Sequence, residues 1–155
     1  YGREDLSGVW EGTWQIEDAG GILQFIEDAL TKIILWTGLV ESEAEAREAA
    51  AAGIEQDPEL YAPRPMRIEV EAIDPEKGDR YRIRVYLDDS GTFHEDEATY
   101  RQGVFEFDAR SDDATRSYFT GQLAGEETLN GTFTATAWGV VKDALIGSWT
   151  VQRMR

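Results

Sequence analysis

The chain has 155 residues, no cysteine, and 31 acidic against 15 basic side chains, which gives a net charge of −16. This length suits one domain that buries most of its apolar surface without cross-links. The missing cysteine excludes disulfides, thiolate metal sites and cysteine nucleophiles. The negative charge repels phosphate backbones, so no nucleic acid partner is expected.

The first predicted strand covers residues 8–16. Its alternation places five residues on one face, namely Gly8, Trp10, Gly12, Trp14 and Ile16. A Gly two residues before a Trp leaves room for a ring or a backbone to lie across it. The same spacing returns with Gly147 and Trp149 in residues 145–153, which predict the last strand. Such strands at both termini indicate a sheet that closes on itself.

Residues 22–37 predict an amphipathic helix that ends near Gly38. The positions that follow helical spacing are Ile22, Phe25, Ile26, Ala29, Leu30, Ile33 and Ile34. Glu27, Asp28, Thr31 and Lys32 are expected to point outward. These charges argue against a membrane span. The chain begins at Tyr1 rather than Met, so we expect that an upstream segment was removed or is not included.

A second helix is predicted from Ser42 to Gly53. Ser42 and Glu45 have the spacing of a capping box, and an alanine run follows. The prolines from 58 to 65 then break regular structure. The two helices therefore form a pair inserted after the first strand, over residues 20–53.

Residues 66–73 and 80–88 flank a turn and predict a hairpin. Symmetric pairing places Ile68 opposite Val85 and, on the other face, Glu69 opposite Arg84. The same register also aligns three further pairs, which are Val70 with Ile83, Ala72 with Tyr81 and Glu71 with Arg82. One register satisfies both faces, with ion pairs outward and apolar side chains inward.

Four more strands follow, over residues 92–100, 104–110, 115–123 and 128–138, joined by turns such as Gln102-Gly103. Symmetric hairpins align Phe107, Tyr118 and Phe133 on neighbouring strands and predict an aromatic ladder in the core. Trp138 is the last aromatic residue of this series.

These elements predict a mainly β fold, an antiparallel up-and-down barrel of about eight strands with a helix pair between strands 1 and 2. We treat residues 1–155 as a single domain. A two-sheet sandwich with Greek-key crossings is the alternative, because the sequence does not show which distant strands pair.

The chain resembles the calycin group, which includes the lipocalins and the fatty-acid-binding proteins. Gly8-Val9-Trp10 or Gly12-Thr13-Trp14 resembles the lipocalin Gly-x-Trp motif, and that resemblance implies that Arg153 packs over the Trp. The helix pair resembles the fatty-acid-binding protein lid. The last strand lacks the Arg-x-Tyr with which that family holds a carboxylate, so this site is not carried over. Helix-grip folds also begin with the order strand, helix, helix, strand. They end in a long helix, whereas this chain is predicted to end in a strand, so that class ranks lower.

The sequence offers no catalytic, metal or cofactor site that we assign. His94 is the only histidine and lies in an acidic segment, which is typical of a solvated side chain. Asp88-Asp89-Ser90-Gly91 lacks the first ligand and the flanking helices of an EF-hand, and is interpreted as a turn. Enzyme activity is therefore not expected, and the localisation stays open.

The first function hypothesis is a non-enzymatic protein that holds a small apolar or amphipathic molecule inside a lidded barrel. Its predicted ligand-binding residues are Trp14, Phe25, Ile26, Phe105, Phe107, Tyr118, Phe133 and Trp149. The second is an acidic interaction or structural module with a filled barrel, which an exposed apolar patch on the first helix would support. The third is a lyase or isomerase acting in the lumen, which would need inward ionisable side chains.

Overall fold

Eight antiparallel strands form a closed barrel in which each strand pairs with the next and β1 pairs with β8. The computed structural model describes residues 5–53, 61–74, 76, 79–110, 115–137 and 141–154. The strands are β1 Gly8–Asp18, β2 Arg64–Ala72, β3 Arg80–Tyr86, β4 His94–Arg101, β5 Val104–Arg110, β6 Thr115–Leu123, β7 Thr128–Ala137 and β8 Val141–Arg153. Helices α1 (Gly20–Thr37) and α2 (Glu43–Gly53) lie between β1 and β2. The predicted up-and-down barrel with an inserted helix pair is confirmed.

Pairing of the first and last strands closes the sheet. Trp14 lies opposite Trp149, and Trp10 lies opposite Arg153. Residues directly opposite each other share a face, so the apolar stripes of the two terminal strands continue into one another. Closure leaves neither of these strands as an exposed edge.

The β2–β3 hairpin has the predicted register. Ile68 pairs with Val85, Val70 with Ile83 and Ala72 with Tyr81, while Glu69 and Glu71 pair with arginines on the opposite face. The β4–β5 turn is also where the sequence places it. Gln102 and Gly103 have φ values of 54° and 81° there, and positive φ at both central residues is the requirement of a type I′ hairpin turn.

The predicted register of the aromatic ladder is wrong by one residue. Phe107 pairs with Phe119, and Phe119 pairs with Phe133. Tyr118 instead pairs with Asp108 on the outer face, where its side chain is 42% exposed. The prediction assumed an even number of residues in each turn, whereas five residues separate Leu123 from its partner Leu129. A slip of one residue moves every side chain to the other face.

The start of α2 and the end of α1 have the predicted contacts, whereas α1 begins after Ala19 without a side-chain cap. The backbone N–H of Glu45 donates to Ser42 Oγ at 3.2 Å, and the Glu45 carboxylate accepts from the N–H of Glu41 at 3.3 Å. Helix α1 ends at Gly38, which has φ 74° and whose N–H donates to the carbonyl of Leu35. Gly is favoured at this left-handed position because it has no Cβ.

Candidate functional site

The barrel interior is occupied by a continuous aromatic cluster. Phe107 stacks on Phe119 with ring centroids 4.9 Å apart, and Phe119 stacks on Phe133 at 5.1 Å. Phe105 meets Phe107 edge-on at 5.6 Å, and Trp149 meets it at 6.0 Å. Four of the predicted ligand-binding residues, Phe105, Phe107, Phe133 and Trp149, therefore pack against one another as core, each at most 3% exposed.

Glycines on the inner face make room for these rings. A Cβ at Gly121 would come within 2.5 Å of the Trp149 ring, and a Cβ at Gly147 would overlap the Phe133 ring. The aromatic side chains thus lie directly over glycine backbone. Gly147 is part of the Gly-x-Trp spacing that predicts this close approach from sequence.

One end of the barrel, called here the closed end, is sealed around Trp10. The Arg153 guanidinium lies over the Trp10 ring, 4.7 Å from the centroid, and donates to the Asp5 carbonyl at 2.8 Å. Trp10 Nε1 donates to the carbonyl of Leu6 at 2.9 Å. Trp10 and Leu6 are both 0% exposed. Of the two Trp residues proposed as the partner of Arg153, Trp10 is the one it covers.

Tyr81 is the buried titratable group of the closed end. Its hydroxyl oxygen accepts from the Leu6 N–H at 3.4 Å. Burial raises the pKa of Tyr81 above its usual value. The side chain therefore stays neutral and serves as a polar contact that helps to hold the segment before β1.

The other end, called here the helix end, is less tightly filled. Trp14 is half-buried, donates from Nε1 to the Leu87 carbonyl at 2.9 Å and meets Phe133 edge-on at 5.7 Å. The Arg64 guanidinium lies 5.4 Å from the Trp14 ring centroid. Trp14 thus links the aromatic cluster to the surface at this end.

The β4–β5 ladder is short and stops before it reaches the helix end. Pairing runs from Arg101–Val104 only as far as Thr99–Glu106, although both strands continue beyond this point. Asp96, on the same face as Ile83, is exposed, whereas Ile83 is 1% exposed. His94 lies opposite Val85 and is half-buried. Two polar side chains on the inner face of β4 therefore border the part of this seam that lacks ladder pairs.

The predicted buried face of α1 is partly wrong. Phe25 and Ile33 are 41% and 58% exposed, and Ile26 is half-buried. Thr31, predicted to point outward, is instead 2% exposed. The apolar periodicity predicted the helix correctly, but it did not show which side of α1 packs against another element.

Helix α2 covers the polar side of α1. Ala46 and Ala50 are buried, and their small side chains allow the close approach of α1 in which Thr31 is enclosed. Arg47 donates to the Asp28 carboxylate at 2.8 Å and also pairs with Glu27 at 3.5 Å. The hydrogen bond from Arg47 lowers the pKa of Asp28. The alternation of alanines with Arg47 was the sequence signal for this contact.

The outer face of β1–β4 carries cross-strand ion pairs, but with other partners than the sequence predicts, because Glu69 pairs with Arg67 at 3.1 Å rather than with Arg84. Arg80 pairs with Glu97 at 2.8 Å, and Arg84 pairs with Glu95 at 3.8 Å. A shallow groove of about 390 Å³ runs between Val9, Glu71 and Arg84 on this face. The Arg84–Glu95 pair that borders the groove is about half exposed, so it contributes little to stability.

Among the described residues, no group of three or more His, Asp and Glu side chains is arranged to hold a metal ion. Over the same part of the chain, no helix combines the length and apolarity that crossing a bilayer requires. Trp138 lies outside the described residues. The helix end differs from the closed end in its partly open β4–β5 seam and in the exposed apolar side of α1.

Neither a protein-family model nor a curated protein matches the sequence. Solved structures do match, among them a redesigned β barrel with a TM-score of 0.56 and 10% sequence identity. That alignment covers 97% of this chain and 92% of the barrel's chain. Similarity at so low an identity shows the barrel fold, and the finer likeness to lipocalins or fatty-acid-binding proteins stays a prediction.

Proposed function

We propose that the protein is an interaction module that binds a protein partner through the exposed side of α1, with the filled barrel as its rigid support. The observation that carries this proposal is a set of apolar side chains in water, called here the α1 stripe. Its members are Ile33, Trp36 and Leu39, which are 58%, 90% and 85% exposed.

Helical geometry places the stripe on the side of α1 that faces away from α2. At 3.6 residues per turn, Ile33 and Trp36 lie about 60° apart around α1, and Thr31 lies about 140° to 160° from them. Thr31 marks the side that packs against α2. Ile22 and Leu23, in the first turn of α1, pack against the barrel core. The stripe lies further along the helix, where Ile33 and Trp36 are more than half exposed.

Exposed apolar side chains are common when they are scattered singly, but a contiguous set marks an interaction surface. Trp, the residue type of Trp36, is also enriched among the residues that dominate interface energetics. The aromatic cluster supports a filled barrel rather than a hollow one, which favours a function at the surface. These two observations together favour the interaction module over a carrier.

The test is site-specific photo-crosslinking in the native host, with the crosslinker at position 33 or 36 and, as a matched control, at position 154. Met154 is also exposed, at 50%, but belongs to the closed end. We expect positions 33 and 36 to capture one common protein that position 154 does not. The purified partner should then bind the Ile33→Ser/Trp36→Ser variant at least tenfold more weakly. Equal capture from all three positions would refute the proposal.

A second candidate function is binding of a small apolar or amphipathic molecule at the helix end. The short β4–β5 ladder favours it, because Asp96 and His94 border a seam at the same end of the barrel as the half-buried Trp14 ring. A titration of tryptophan emission with fatty acids and retinoids tests it, using Trp14→Phe as the control. A saturable change that is lost in Trp14→Phe supports this function, and no change with any ligand rules it out.

A further inference from the structure

We infer that the partner of the α1 stripe is the same stripe of a second copy of this chain, so that two α1 helices pack against each other around a two-fold axis. This inference rests on the proposed function and names the partner. The juxtaposition that carries it is the exposed apolar stripe, Ile33, Trp36 and Leu39, on a stretch of chain that contains no carboxylate.

The helix carries a small side chain between the large ones of the stripe. Half-buried Ala29 lies between Ile33 and Trp36 around the axis, and the three fall within an arc of about 60°. When two antiparallel α1 helices cross at Ile33, Trp36 of each copy lies beside Ala29 of the other. The small side chain leaves room there for the indole ring, because well-packed helices place large side chains over small ones. The surface is therefore complementary to itself, as a two-fold contact requires.

The stretch that carries the stripe is also free of carboxylates. Residues 29–40 contain one charged side chain, Lys32, which is exposed and lies about 40° from Trp36 around the axis. The carboxylates of α1, Glu27 and Asp28, precede this stretch, and both pair with Arg47, at 3.5 and 2.8 Å. Lys32 stays at the rim of the contact, where its long side chain reaches water. Two stripes therefore meet without bringing the carboxylates of α1 together.

The net charge of −16 opposes association, but the position of the stripe limits this repulsion. Helix α1 packs on the barrel core through Ile22 and Leu23 in its first turn. Ile33 lies about 15 Å further along the axis than Leu23. Salt at 0.15 M screens exposed charges over about 8 Å, which is a shorter distance. The exposed carboxylates of residues 41–48 add to the repulsion, so the contact should tighten as salt rises.

The exposed area of the stripe suits a weak, reversible dimer. Since a large side chain presents about 150–250 Å² when free, the exposed fractions of the three side chains amount to roughly 450 Å² per copy. Two stripes together bury roughly 900 Å², close to the lower limit of about 1,000 Å² for a specific interface. We expect a dissociation constant of about 10–100 µM.

The same features argue against other occupants of the stripe. Anionic lipid surfaces repel a chain of this charge. A basic partner is attracted by carboxylates, whereas the one charge of residues 29–40 is that of Lys32. A second copy supplies an apolar helix side of the same length, with its small side chain at the position that the ring of Trp36 needs.

Sedimentation equilibrium of the full chain at about 10–300 µM measures the association in 0.05 and in 0.5 M NaCl. The variant Ile33→Ser/Trp36→Ser removes most of the stripe, and Met154→Ser is the matched control because Met154 is exposed at the closed end. Each substituted side chain is at least 50% exposed, so both variants should unfold at the native urea concentration. We expect the native dimer to be at least threefold tighter in 0.5 M NaCl, because salt screens the repulsion. The serine double variant should weaken it at least tenfold, and the control should leave it unchanged.

A thiol placed at the expected two-fold axis locates the contact. The chain has no cysteine, so Ile33→Cys provides one thiol per copy, as does the control Met154→Cys. Under the same mild oxidation with diamide, Ile33→Cys should form a disulfide-linked dimer at least tenfold faster than Met154→Cys. The reason is that a disulfide needs two Cα atoms within about 7 Å of each other.

A chain that stays monomeric at about 300 µM in 0.5 M NaCl would overturn the inference. The proposed function would then stand if photo-crosslinking at positions 33 and 36 captures a different protein, and capture of no protein would overturn both. A dimer that the serine double variant retains, or that weakens as NaCl rises, would also overturn the inference. A monomer whose Trp36 emission shifts to the blue with phosphatidylcholine vesicles would identify a membrane as the occupant and overturn both.

Discussion

The two ends of the barrel differ in how completely their tryptophan side chains are buried. At the closed end, Trp10 is fully buried, its ring lies under Arg153 and its indole N–H is hydrogen-bonded. At the helix end, Trp14 is half-buried and Trp36 of α1 is 90% exposed. The comparison indicates that the closed end supplies stability, whereas the helix end presents surface that folding alone does not require.

The largest expected effect separates Trp10 from Trp36. Trp10→Ala removes a fully buried ring and should lower the free energy of unfolding by about 3–5 kcal/mol. Trp36→Ala should change it by about 0.5 kcal/mol or less, because the ring is exposed. Urea denaturation measures both. If Trp10→Ala leaves too little folded protein, Trp10→Phe serves instead, and a cost at Trp36 equal to that at Trp10 would contradict the comparison.

A smaller effect distinguishes the two Arg–Trp contacts. Double-mutant cycles with Arg153→Met and Trp10→Phe, and with Arg64→Met and Trp14→Phe, measure the coupling at each end. We expect about 1–2 kcal/mol at the closed end, where the pair is desolvated, and about 0.5 kcal/mol at the helix end, where Arg64 is exposed. Equal couplings would show that burial does not distinguish the two ends.

The smallest effect is the pH dependence of the helix pair. The hydrogen bond from Arg47 lowers the folded-state pKa of Asp28, so this carboxylate stabilises the fold above the ordinary aspartate pKa of about 3.9. That contribution is lost as the pH falls through 3.9 and then through the lower folded-state value.

The stability difference between the native chain and Asp28→Asn should therefore be present at pH 6 and shrink towards pH 3. Thermal unfolding at a series of pH values measures it. Asp89→Asn is the control, because Asp89 lies in the β3–β4 connection, away from the helix pair. A difference that stays constant down to pH 3 would contradict the role assigned to Arg47.

Much of the barrel follows from local sequence rules. Alternation and turn residues predict the β2–β3 register, because Ile68–Val85 and Glu69–Arg84 satisfy both faces at once. The Gly-x-Trp spacing predicts where rings lie over backbone, as Phe133 does over Gly147. These features depend on neighbours in sequence or on one repeated pattern, and they can therefore be predicted from a single sequence.

The candidate site is harder to predict from the sequence, because it depends on which elements, distant in the chain, pack against each side of a helix or strand. Tyr118 was assigned to the core through an even-numbered turn, and one extra residue moved it outside. Phe25 and Ile33 were assigned to the buried face of α1, because apolar periodicity shows that a helix has two sides but not which side packs against a neighbour. The burial of Thr31 depends on packing between α1 and elements that are distant from it in the chain.

The pairing of β1 with β8 has a practical consequence for presenting the molecule. Met154 donates its backbone N–H to the Val9 carbonyl, so both strand ends leave the sheet at the side opposite α1 and α2. A tether, tag or fused domain attached before β1 or after β8 would lie on the side of the barrel away from the helices. Anchoring the protein on a sensor surface or a scaffold in this way orients every copy with α1 facing the solution.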